Sequence, residues 1–357
     1  MKTYKLSEGT ERSVPSLRGI FYSNGGFSRV PEATVRKITG ECKDLVENSV
    51  YSHARETAGG RAYFATDSKT LRITAHYPFY KNLGAQMGAG KTGFDLYKNG
   101  TERVALLKAD VPEFARELEF RAVAKTPWSY TWEISLSGEM TDYTLYFPIA
   151  TEISEVELTL DGEIRECASA PKGEPVVFYG SSITQGGMAT APSESYVSTA
   201  MRELCKDYIN LGMWGSCHGE KAMAEYIATL PMSAFVLDYD HNDGAPHPFK
   251  ERHFEVYETV RRAHPDAPVL MISRPNNQIG EKTALEMKEA IIANYDAAVK
   301  NGDENVYFLD GESIMGYSTS EEFYSPSDKV HPKSAGHAKM ASIIGAELKK
   351  ILDKDGR

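Results

Sequence analysis

Alternation of apolar and polar residues dominates the first half of the chain. The alternating segments lie at residues 70–77, 117–123, 143–147 and 155–160. A period of two is typical of a strand with one buried face. Asn-Gly at 99–100 and Asp-Gly at 161–162 each predict a hairpin turn. Many short strands with such turns predict an all-β sandwich domain, of the jelly-roll type, over residues 1–170.

The pattern changes after a segment rich in proline, glycine and small residues at 168–175, which is typical of a linker. Short apolar strands then alternate with segments of helical periodicity. The predicted strands lie near 175–179, 207–211, 234–239, 268–273 and 305–309, and the predicted helices near 248–263, 282–300 and 335–352. Alternating strands and helices predict a parallel sheet covered on both faces, over residues 171–357.

Two motifs in this second half contain the residue types that nucleophilic catalysis by a serine hydroxyl requires. The segment Gly-Ser-Ser-Ile-Thr at 180–184 follows a predicted buried strand, and Asp328 lies three residues before His331. A serine hydroxyl needs a base to remove its proton, and the base needs an acid to orient it. Either motif alone fits a blander explanation, an ordinary turn or a capped helix with a surface histidine. Their order along the chain favours a serine hydrolase.

Two further elements lie between these motifs. Gly215 follows one predicted strand and Asn242 follows the next. Acyl transfer requires hydrogen-bond donors aimed at the developing oxyanion, and a glycine N–H and an asparagine amide are suitable donors. Taken singly, each is equally well explained as a turn or cap residue. Because all of these residues follow strand ends, a parallel sheet would bring them to one edge.

The four blocks resemble those of the SGNH, or GDSL-like, hydrolases. This resemblance covers about residues 174–350 and implies a flavodoxin-like three-layer α/β/α domain. It implies Ser182 as nucleophile, His331 as base and Asp328 as its orienting acid. The oxyanion hole would be formed by the N–H groups of Ser182 and Gly215 with the amide of Asn242. The choice of Ser182 rests on the following Ile-Thr, which matches the family's Ser-x-Thr.

The chain departs from the family pattern at two positions. Ser181 stands where the family has the aspartate of Gly-Asp-Ser, and Asp240 stands where the family has the glycine of Gly-x-Asn-Asp. A second resemblance concerns Gly-Phe-Asp-Leu-Tyr at 93–97. It looks like the signature of an N-terminal β domain that precedes some bacterial SGNH esterases. Those two-domain proteins include carbohydrate esterases that remove acetyl groups from plant polysaccharides.

Other residues on the loops after the strands are expected to border the substrate pocket: Trp214, His218, His241, Arg274 and Asn276. An aromatic side chain at Trp214 is equally suited to stacking on a sugar ring and to capping the core. The histidines show no ligand spacing of a metal site. The serine mechanism needs no cofactor, and we expect neither a cofactor nor a metal.

The composition and net charge of the chain narrow the classes of possible binding partner. The chain has 357 residues and a net charge of −10, which disfavours binding to nucleic acid or to an anionic membrane surface. The sequence contains no apolar run long enough to span a membrane, and its first residues are polar. Four cysteines without disulfide or metal spacing, Cys42, Cys167, Cys205 and Cys217, are expected to be free thiols in a bacterial cytoplasm. The sequence allows a homo-oligomer without specifying one.

The resulting hypothesis is a serine esterase that removes acetyl groups from carbohydrates through an acyl-enzyme. By the two-domain resemblance, the expected substrates are acetylated mannan or xylan oligosaccharides of plant hemicellulose. Two alternatives stay open: an esterase or thioesterase for lipid acyl chains, and a carbohydrate-binding protein whose hydrolase half is inactive.

Overall fold

The computed structural model describes residues 1–8, 14–39, 49–84, 87–244, 246–275, 281–316, 321–326 and 329–354. These residues form two compact units. The first unit consists of residues 1–29, 54–171 and 189–193, and the second consists of residues 30–53, 172–188 and 194–357.

The described strands, in chain order, are β1 Lys2–Lys5, β2 Ser16–Arg18, β3 Phe21–Ser23, β4 Gly26–Ser28, β5 Arg61–Thr66, β6 Thr70–Tyr77, β7 Tyr80–Lys81, β8 Phe94–Lys98, β9 Glu102–Leu107, β10 Val123–Ala124, β11 Trp128–Ser135, β12 Thr141–Tyr146, β13 Glu155–Leu160, β14 Ile164–Arg165, β15 Val176–Gly180, β16 Tyr208–Gly212, β17 Ala234–Asp238, β18 Val269–Ile272 and β19 Val306–Leu309. The described α-helices are α1 Glu32–Thr39, α2 Ser49–Arg55, α3 Ala89–Thr92, α4 Ser182–Gln185, α5 Tyr196–Glu203, α6 Lys221–Ile227, α7 Pro246–Ala263, α8 Lys282–Lys300, α9 Gly311–Met315 and α10 Ser334–Lys354.

The first unit is built from two antiparallel sheets. One has the order β1-β13-β6-β11; the other has the order β14-β5-β12-β8-β9, with β2 also paired to β5. Apolar side chains from both sheets, such as Ile73 of β6 and Leu145 of β12, share one buried core. The alternating strands therefore bury one face each, as period-two patterning requires. The unit is a β-sandwich; its assignment as a jelly roll stays a prediction.

The turn chemistry was predicted correctly at one site and wrongly at another. Asn99 and Gly100 both have positive φ, 51° and 74°, and they join the paired strands β8 and β9, as in a type I′ hairpin. The turn at 161–162 joins β13 and β14, which lie in different sheets. The Asp161 carboxylate accepts hydrogen bonds from the N–H groups of residues 69 and 70, so this turn leads from one sheet into the other.

The predicted strand at 117–123 was also wrong. Those residues form turns that lead into the two-residue strand β10. Phe120, which the alternation placed on a buried face, is 60% exposed. Alternation over a short polar segment therefore did not mark a sheet here, because no neighbouring strand covers its apolar side chains.

The second unit is a five-stranded parallel sheet with the order β16-β15-β17-β18-β19. This is the 2-1-3-4-5 order of flavodoxin-like folds. One face packs against α5, α9 and α10 in a shared core that includes Phe178 and Val236. On the other face, Tyr179 contacts Tyr239, whose ring packs on Phe249 of α7. The prediction of a three-layer α/β/α domain is confirmed.

The predicted domains were continuous, at 1–170 and 171–357, whereas the two units exchange short segments. Residues 30–53 lie with the second unit, where α1 packs against α6. Residues 189–193 lie with the first unit, where the N–H of Gly90 donates to the carbonyl of Thr190 and the N–H of Ser193 donates to Asp95. Neither exchanged segment could be recognised from its amino-acid composition, because each is short and contains both polar and apolar residues.

Cys167, Cys205 and Cys217 are free thiols, as predicted, whereas Cys42 lies outside the described residues. Cys217 is fully buried, with its sulfur 3.5 Å from the carbonyl oxygen of Leu211, so it serves packing. Within the described part of the chain, none of the helices has the length and apolar character that crossing a bilayer requires.

Candidate active site

Ser182 lies where strand β15 ends and the short helix α4 begins. Ser181 caps this helix: its side-chain oxygen accepts a hydrogen bond from the N–H of Ile183 at 3.2 Å, and its own N–H donates to the carbonyl of Asp238. N-cap serines satisfy a donor that the first helical turn leaves free. The Ser181 oxygen thus takes part in a helix cap, whereas the Ser182 hydroxyl has a partner outside α4.

That partner is His331. The Ser182 Oγ and His331 Nε2 atoms are 2.7 Å apart, although 149 residues separate them in sequence. The carbonyl of His331 accepts a hydrogen bond from the N–H of Ser325, which ties the histidine backbone to the segment before it. This is the nucleophile–base geometry of a serine hydrolase. Asp328, the predicted orienting acid, lies outside the described residues.

Trp214 stacks on the imidazole of His331. The ring centroids are 4.7 Å apart and the planes differ by 21°. The backbone N–H of Trp214 donates to Oε1 of Gln185 at 3.0 Å, so α4 holds the loop that carries the indole. The sequence left this side chain between a sugar platform and a core cap. The structure gives it a contact that neither alternative included, on one face of the histidine ring.

Gly187 makes room for this stack. A Cβ atom at this position would lie 3.0 Å from Cζ3 of Trp214, 3.2 Å from Cδ2 of His331 and 2.9 Å from the carbonyl oxygen of Ser182. These separations are shorter than an ordinary carbon contact of about 3.5–4.0 Å. The absence of a side chain at residue 187 therefore sets how closely the indole and imidazole approach the serine turn.

The predicted oxyanion donors follow the neighbouring strands. Gly215 lies after β16 with a φ of +61°, a conformation that favours glycine. Asn242 lies in a 3₁₀ turn after β17, and its Nδ2 donates to the carbonyl of Met213 at 3.1 Å. That bond uses one of the two amide hydrogens. Among the described residues, none accepts a hydrogen bond from the N–H of Ser182 or Gly215.

The other predicted pocket residues have varied surroundings. His218 is half-buried; its Nε2 is 3.2 Å from the Gly215 carbonyl oxygen, and its Nδ1 is 3.7 Å from a carboxylate oxygen of Asp243. The interaction with Asp243 raises the pKa of His218 above its usual range. His218 therefore contacts the glycine loop. His241 is half-buried, and Asn276 lies outside the described residues.

Arg274 does not match its predicted place on the pocket wall. Its side chain is 8% exposed and forms an ion pair with Asp240, at 3.7 Å. Its guanidinium also donates to the backbone carbonyl of Asp240 at 2.9 Å. The sequence could not show this, because the partner residue is 34 positions away. Arg274 anchors the turn that carries Asn242 rather than offering a free charge to a substrate.

A buried polar cluster of Asp238, Thr184 and Tyr196 supports the turn that carries Ser182. Asp238, at the end of β17, accepts hydrogen bonds from the hydroxyls of Thr184 at 3.0 Å and Tyr196 at 2.8 Å. Burial raises the pKa of this carboxyl to about 7, because desolvation disfavours its charged form. Thr184 lies two residues after Ser182, so the cluster fixes α4 against the sheet. The sequence analysis did not identify this role for Asp238.

His337, on α10, contacts the same region and was also missed. Its Nδ1 accepts from the N–H of Tyr196 at 3.3 Å, and its Nε2 is 3.0 Å from the carbonyl oxygen of Gly187. Because Nδ1 accepts, Nε2 carries the proton and donates to Gly187. Burial lowers the pKa of His337 to about 4. It is a neutral structural histidine, which only the three-dimensional contacts reveal.

One group of potential metal ligands lies in the described residues. His76 of β6 and Glu155 and Glu157 of β13 place their ligand atoms within 4.8 Å of one another. The ammonium of Lys5 is 3.0 Å from Glu155 and 3.3 Å from Glu157. The two carboxylates therefore already have a cation between them. This group belongs to the β-sandwich unit.

The second unit brings a serine hydroxyl and an imidazole into contact at the edge of a flavodoxin-like sheet, an arrangement that hydrolases use. The family comparison agrees with this class. Residues 173–349 match the GDSL-like lipase/acylhydrolase family, and residues 10–164 match the N-terminus of SGNH hydrolase-type esterases. The chain belongs to the SGNH, GDSL-like hydrolases and is a carboxylic ester hydrolase. The predicted family and enzyme class are thus confirmed. No curated protein matches the chain.

Solved structures share the fold over most of the chain. A protein from Bacteroides ovatus described as a GDSL-like lipase is 23% identical, covers 99% of this chain and 98% of its own, and has a TM-score of 0.75. The salicylyl-acyltransferase SsfX3 of a tetracycline biosynthetic pathway is 20% identical over 95% of both chains, with a TM-score of 0.72. A family two carbohydrate esterase from Clostridium thermocellum, in complex with cellohexaose, is 16% identical over 84% of this chain and 94% of its own, with a TM-score of 0.62. At such identities the likeness shows the fold alone.

Proposed function

We propose that this protein is a carbohydrate acetylesterase whose nucleophile is Ser182. The observation that carries this proposal is the 2.7 Å contact between Ser182 Oγ and His331 Nε2 at the carboxyl end of a parallel strand. A hydroxyl within hydrogen-bond distance of an imidazole nitrogen is the arrangement that general-base activation requires.

In the proposed reaction, His331 accepts the proton of Ser182 as Oγ attacks the ester carbonyl. The tetrahedral intermediate then expels the sugar hydroxyl, which takes the proton from His331, and an acetyl-serine remains. A water molecule, deprotonated by His331, attacks the acetyl carbonyl, and acetate leaves as Ser182 recovers its proton. Asp328, by the family resemblance, orients the imidazole during both steps.

The oxyanion of each tetrahedral intermediate requires donors that have no other partner in the resting enzyme. The N–H groups of Ser182 and Gly215, and the second amide hydrogen of Asn242, meet this requirement among the described residues. A donor aimed at charge that develops only in the transition state contributes mainly to kcat. The hydrogen bond from Asn242 to Met213 keeps the amide in one orientation, which supports preorganisation.

The choice of substrate rests on two supports. The predicted pocket residues on the loops after β16 and β17 are aromatic or polar, namely Trp214, His218 and His241, whereas a long acyl chain needs an extended apolar groove. The family two carbohydrate esterase from Clostridium thermocellum shares the fold of both units over 84% of this chain. We therefore place the ester on a sugar hydroxyl, with acetylated mannan or xylan oligosaccharides as the proposed substrates.

The experiment is a chain-length profile with acetyl, butyryl and octanoyl nitrophenyl esters, followed by acetate release from acetylated xylan and mannan oligosaccharides. We expect the highest kcat/KM for acetyl and release of acetate from at least one oligosaccharide. Octanoyl preference would indicate a lipid esterase instead. Absence of turnover on every ester would indicate an inactive binding protein.

Matched serine variants test the mechanism in the same assays. Ser182→Ala should lower turnover by ~10³-fold or more, since nucleophile and base act as a unit. Ser181→Ala should keep most of the activity, because that hydroxyl caps α4, and losing an N-cap costs about 1 kcal/mol of stability. The reverse result would assign the nucleophile to Ser181.

A further inference from the structure

The β-sandwich unit contains a cavity of about 360 Å³ that the catalytic proposal does not use. Its lining residues come from strand β7 with Asn82 and Gly84 after it, from helix α3 with Gly88 before it, and from the segment after β9. The polar and charged members of its lining are Tyr80, Asn82, Lys91, Thr92, Lys108 and Arg116. Such a cavity is large enough for a small polar molecule, since ligand sites usually enclose about 300–1,000 Å³.

Lys91 is the central group of this cavity. Lys91 is only 8% exposed. Its Nζ donates a hydrogen bond to the hydroxyl of Tyr80 at 2.6 Å and lies 4.8 Å from the centre of the Tyr80 ring. Burial and repulsion from Lys108 both lower the pKa of Lys91. Charged side chains are rarely buried to this extent without a charged partner. Among the described residues, none places a carboxylate against this ammonium.

The other charges of the cavity have the same sign. Lys108 and Arg116 both line it and are exposed, and neither forms an ion pair with a described residue. No carboxylate appears among the described lining residues; Asp110, which lies close in sequence, accepts a hydrogen bond from Tyr130. Three basic residues thus line one cavity, none of them in an ion pair with a described residue, in a chain whose net charge is −10.

We propose that this cavity is an anion-binding site, which takes a small polar molecule through a carboxylate or phosphate group held by Lys91. A bound oxyanion would supply the counter-charge that Lys91 lacks and would relieve its repulsion with Lys108. Lys108 and Arg116, at the exposed side, would attract the anion from solvent. The inference is independent of the proposed esterase activity, because every residue that carries it lies in the first unit.

The alternative is that Lys91 only packs its aliphatic stem in the core, as long cationic side chains often do. The two explanations differ in what an added anion does. A packing role predicts no response to anions, whereas a site predicts saturable binding that weakens as salt rises.

The experiment is calorimetric titration of the full chain at low ionic strength, in a buffer without phosphate or carboxylate. The probes are D-glucuronate, glucose 6-phosphate and inorganic phosphate, with glucose as the neutral control. We expect at least one anion to bind with 1:1 stoichiometry, and glucose not to bind. Preference for glucuronate would identify a carboxylate ligand, and preference for glucose 6-phosphate or inorganic phosphate would identify a phosphate ligand.

Lys91→Met tests the assignment, since methionine keeps much of the stem and removes the charge. It should weaken binding by ~10-fold or more, as expected for a hydrogen bond to a charged group. Lys98→Met is the matched control, because Lys98 pairs with Glu102 on the β8–β9 hairpin and does not line the cavity. Arg116→Gln provides a second variant at an exposed position, should Lys91→Met not fold. Absence of anion binding to the parent protein, or equal binding by parent, Lys91→Met and Arg116→Gln, would overturn the proposal.

Discussion

Replacing Gly187 by alanine adds a single methyl group next to both the imidazole of His331 and its stacking partner, Trp214. The new Cβ would lie 3.0 Å from Trp214 Cζ3 and 3.2 Å from His331 Cδ2. Restoring an ordinary contact of about 3.5 Å requires the two rings to retreat by roughly 0.3–0.5 Å. A misplacement of about 1 Å can cost 10²-fold in rate. A shift of about half that size should therefore lower kcat by ~10-fold, with KM changed less than ~3-fold.

The assay compares kcat and KM for nitrophenyl acetate in the parent, Gly187→Ala and Gly244→Ala. Gly244 is a matched control, because a Cβ added there meets no atom within 4 Å. The overpacked variant should also lose about 1–3 kcal/mol of stability, so its melting temperature is measured and activity is assayed well below it. A folded Gly187→Ala enzyme with the parent's kcat would refute the reasoning, since the close approach at residue 187 would then not set the position of His331.

Three further variants test other parts of the second unit. Asn242→Ala should lower kcat by ~10²–10³ with a smaller effect on KM, as steady-state kinetics on nitrophenyl acetate would show; a change confined to KM would indicate a binding role. Burial raises the pKa of Asp238 from 3.8 to about 7, so the folded state retains a proton that the unfolded state releases, and stability falls as pH rises between those values. Asp238→Asn should abolish that loss. The melting temperature of the variant minus that of the parent should therefore be larger at pH 8 than at pH 4. An equal difference at the two pH values would contradict the assignment. Gly345→Ala, inside α10, would place its Cβ 3.4 Å from Ala200 and should raise stability by about 0.5–1 kcal/mol in chemical denaturation; a lower stability would show that the α5–α10 contact tolerates no added atom.

The sequence predicted the second unit better than the first, for a physical reason. A strand buried on both faces is a continuous apolar run, and β15 and β17 are buried at every position. Long helices with one buried stripe are equally distinct, and α8 lies at the predicted residues 282–300. In the β-sandwich, alternation marks a strand only where another strand covers it. The segment at 117–123 alternates without such cover and forms turns.

The contact between Ser182 and His331 could be anticipated from sequence, because the proposed nucleophile and base belong to few residue types and occur in a fixed order. The supporting contacts could not. The role of Gly187 depends on the distances to Trp214 and His331, and that of His337 depends on a backbone carbonyl 150 residues away. Such contacts are set by how helices pack on the sheet, and a glycine or a buried histidine has many other uses. Gly187 itself was an available hint, because a residue without a side chain permits close approach of its neighbours.

The segment exchange between the units bears on how the hydrolase half can be isolated. A fragment that begins at residue 172 would lack α1, which packs on α6 within the second unit. Removing that helix would expose the apolar surface of α6 that it covers, including the environment of the buried Val35. Loss of activity in such a fragment would therefore not by itself assign a substrate-binding role to the β-sandwich.

The two departures from the family pattern have local explanations in this structure. Ser181 replaces the usual aspartate, yet it still caps α4 through its side-chain oxygen, a role in which serine and aspartate are nearly equivalent. Its N–H donates to the backbone of Asp238, whose buried carboxyl already has a raised pKa. The cap is thus retained without the carboxylate.

Asp240, in place of the usual glycine, is likewise part of the site's support. Its carboxylate accepts a hydrogen bond from the N–H of Arg274 at 3.1 Å and pairs with the guanidinium of the same residue. Both side chains are buried, so removing either partner would leave an uncompensated charge. The pair ties the turn that carries Asn242 to the end of β18. A glycine at residue 240 would leave the backbone of this turn more conformational freedom, whereas in this chain an ion pair fixes the turn. The position of the Asn242 amide therefore depends on Arg274 as well as on the hydrogen bond from Asn242 to Met213.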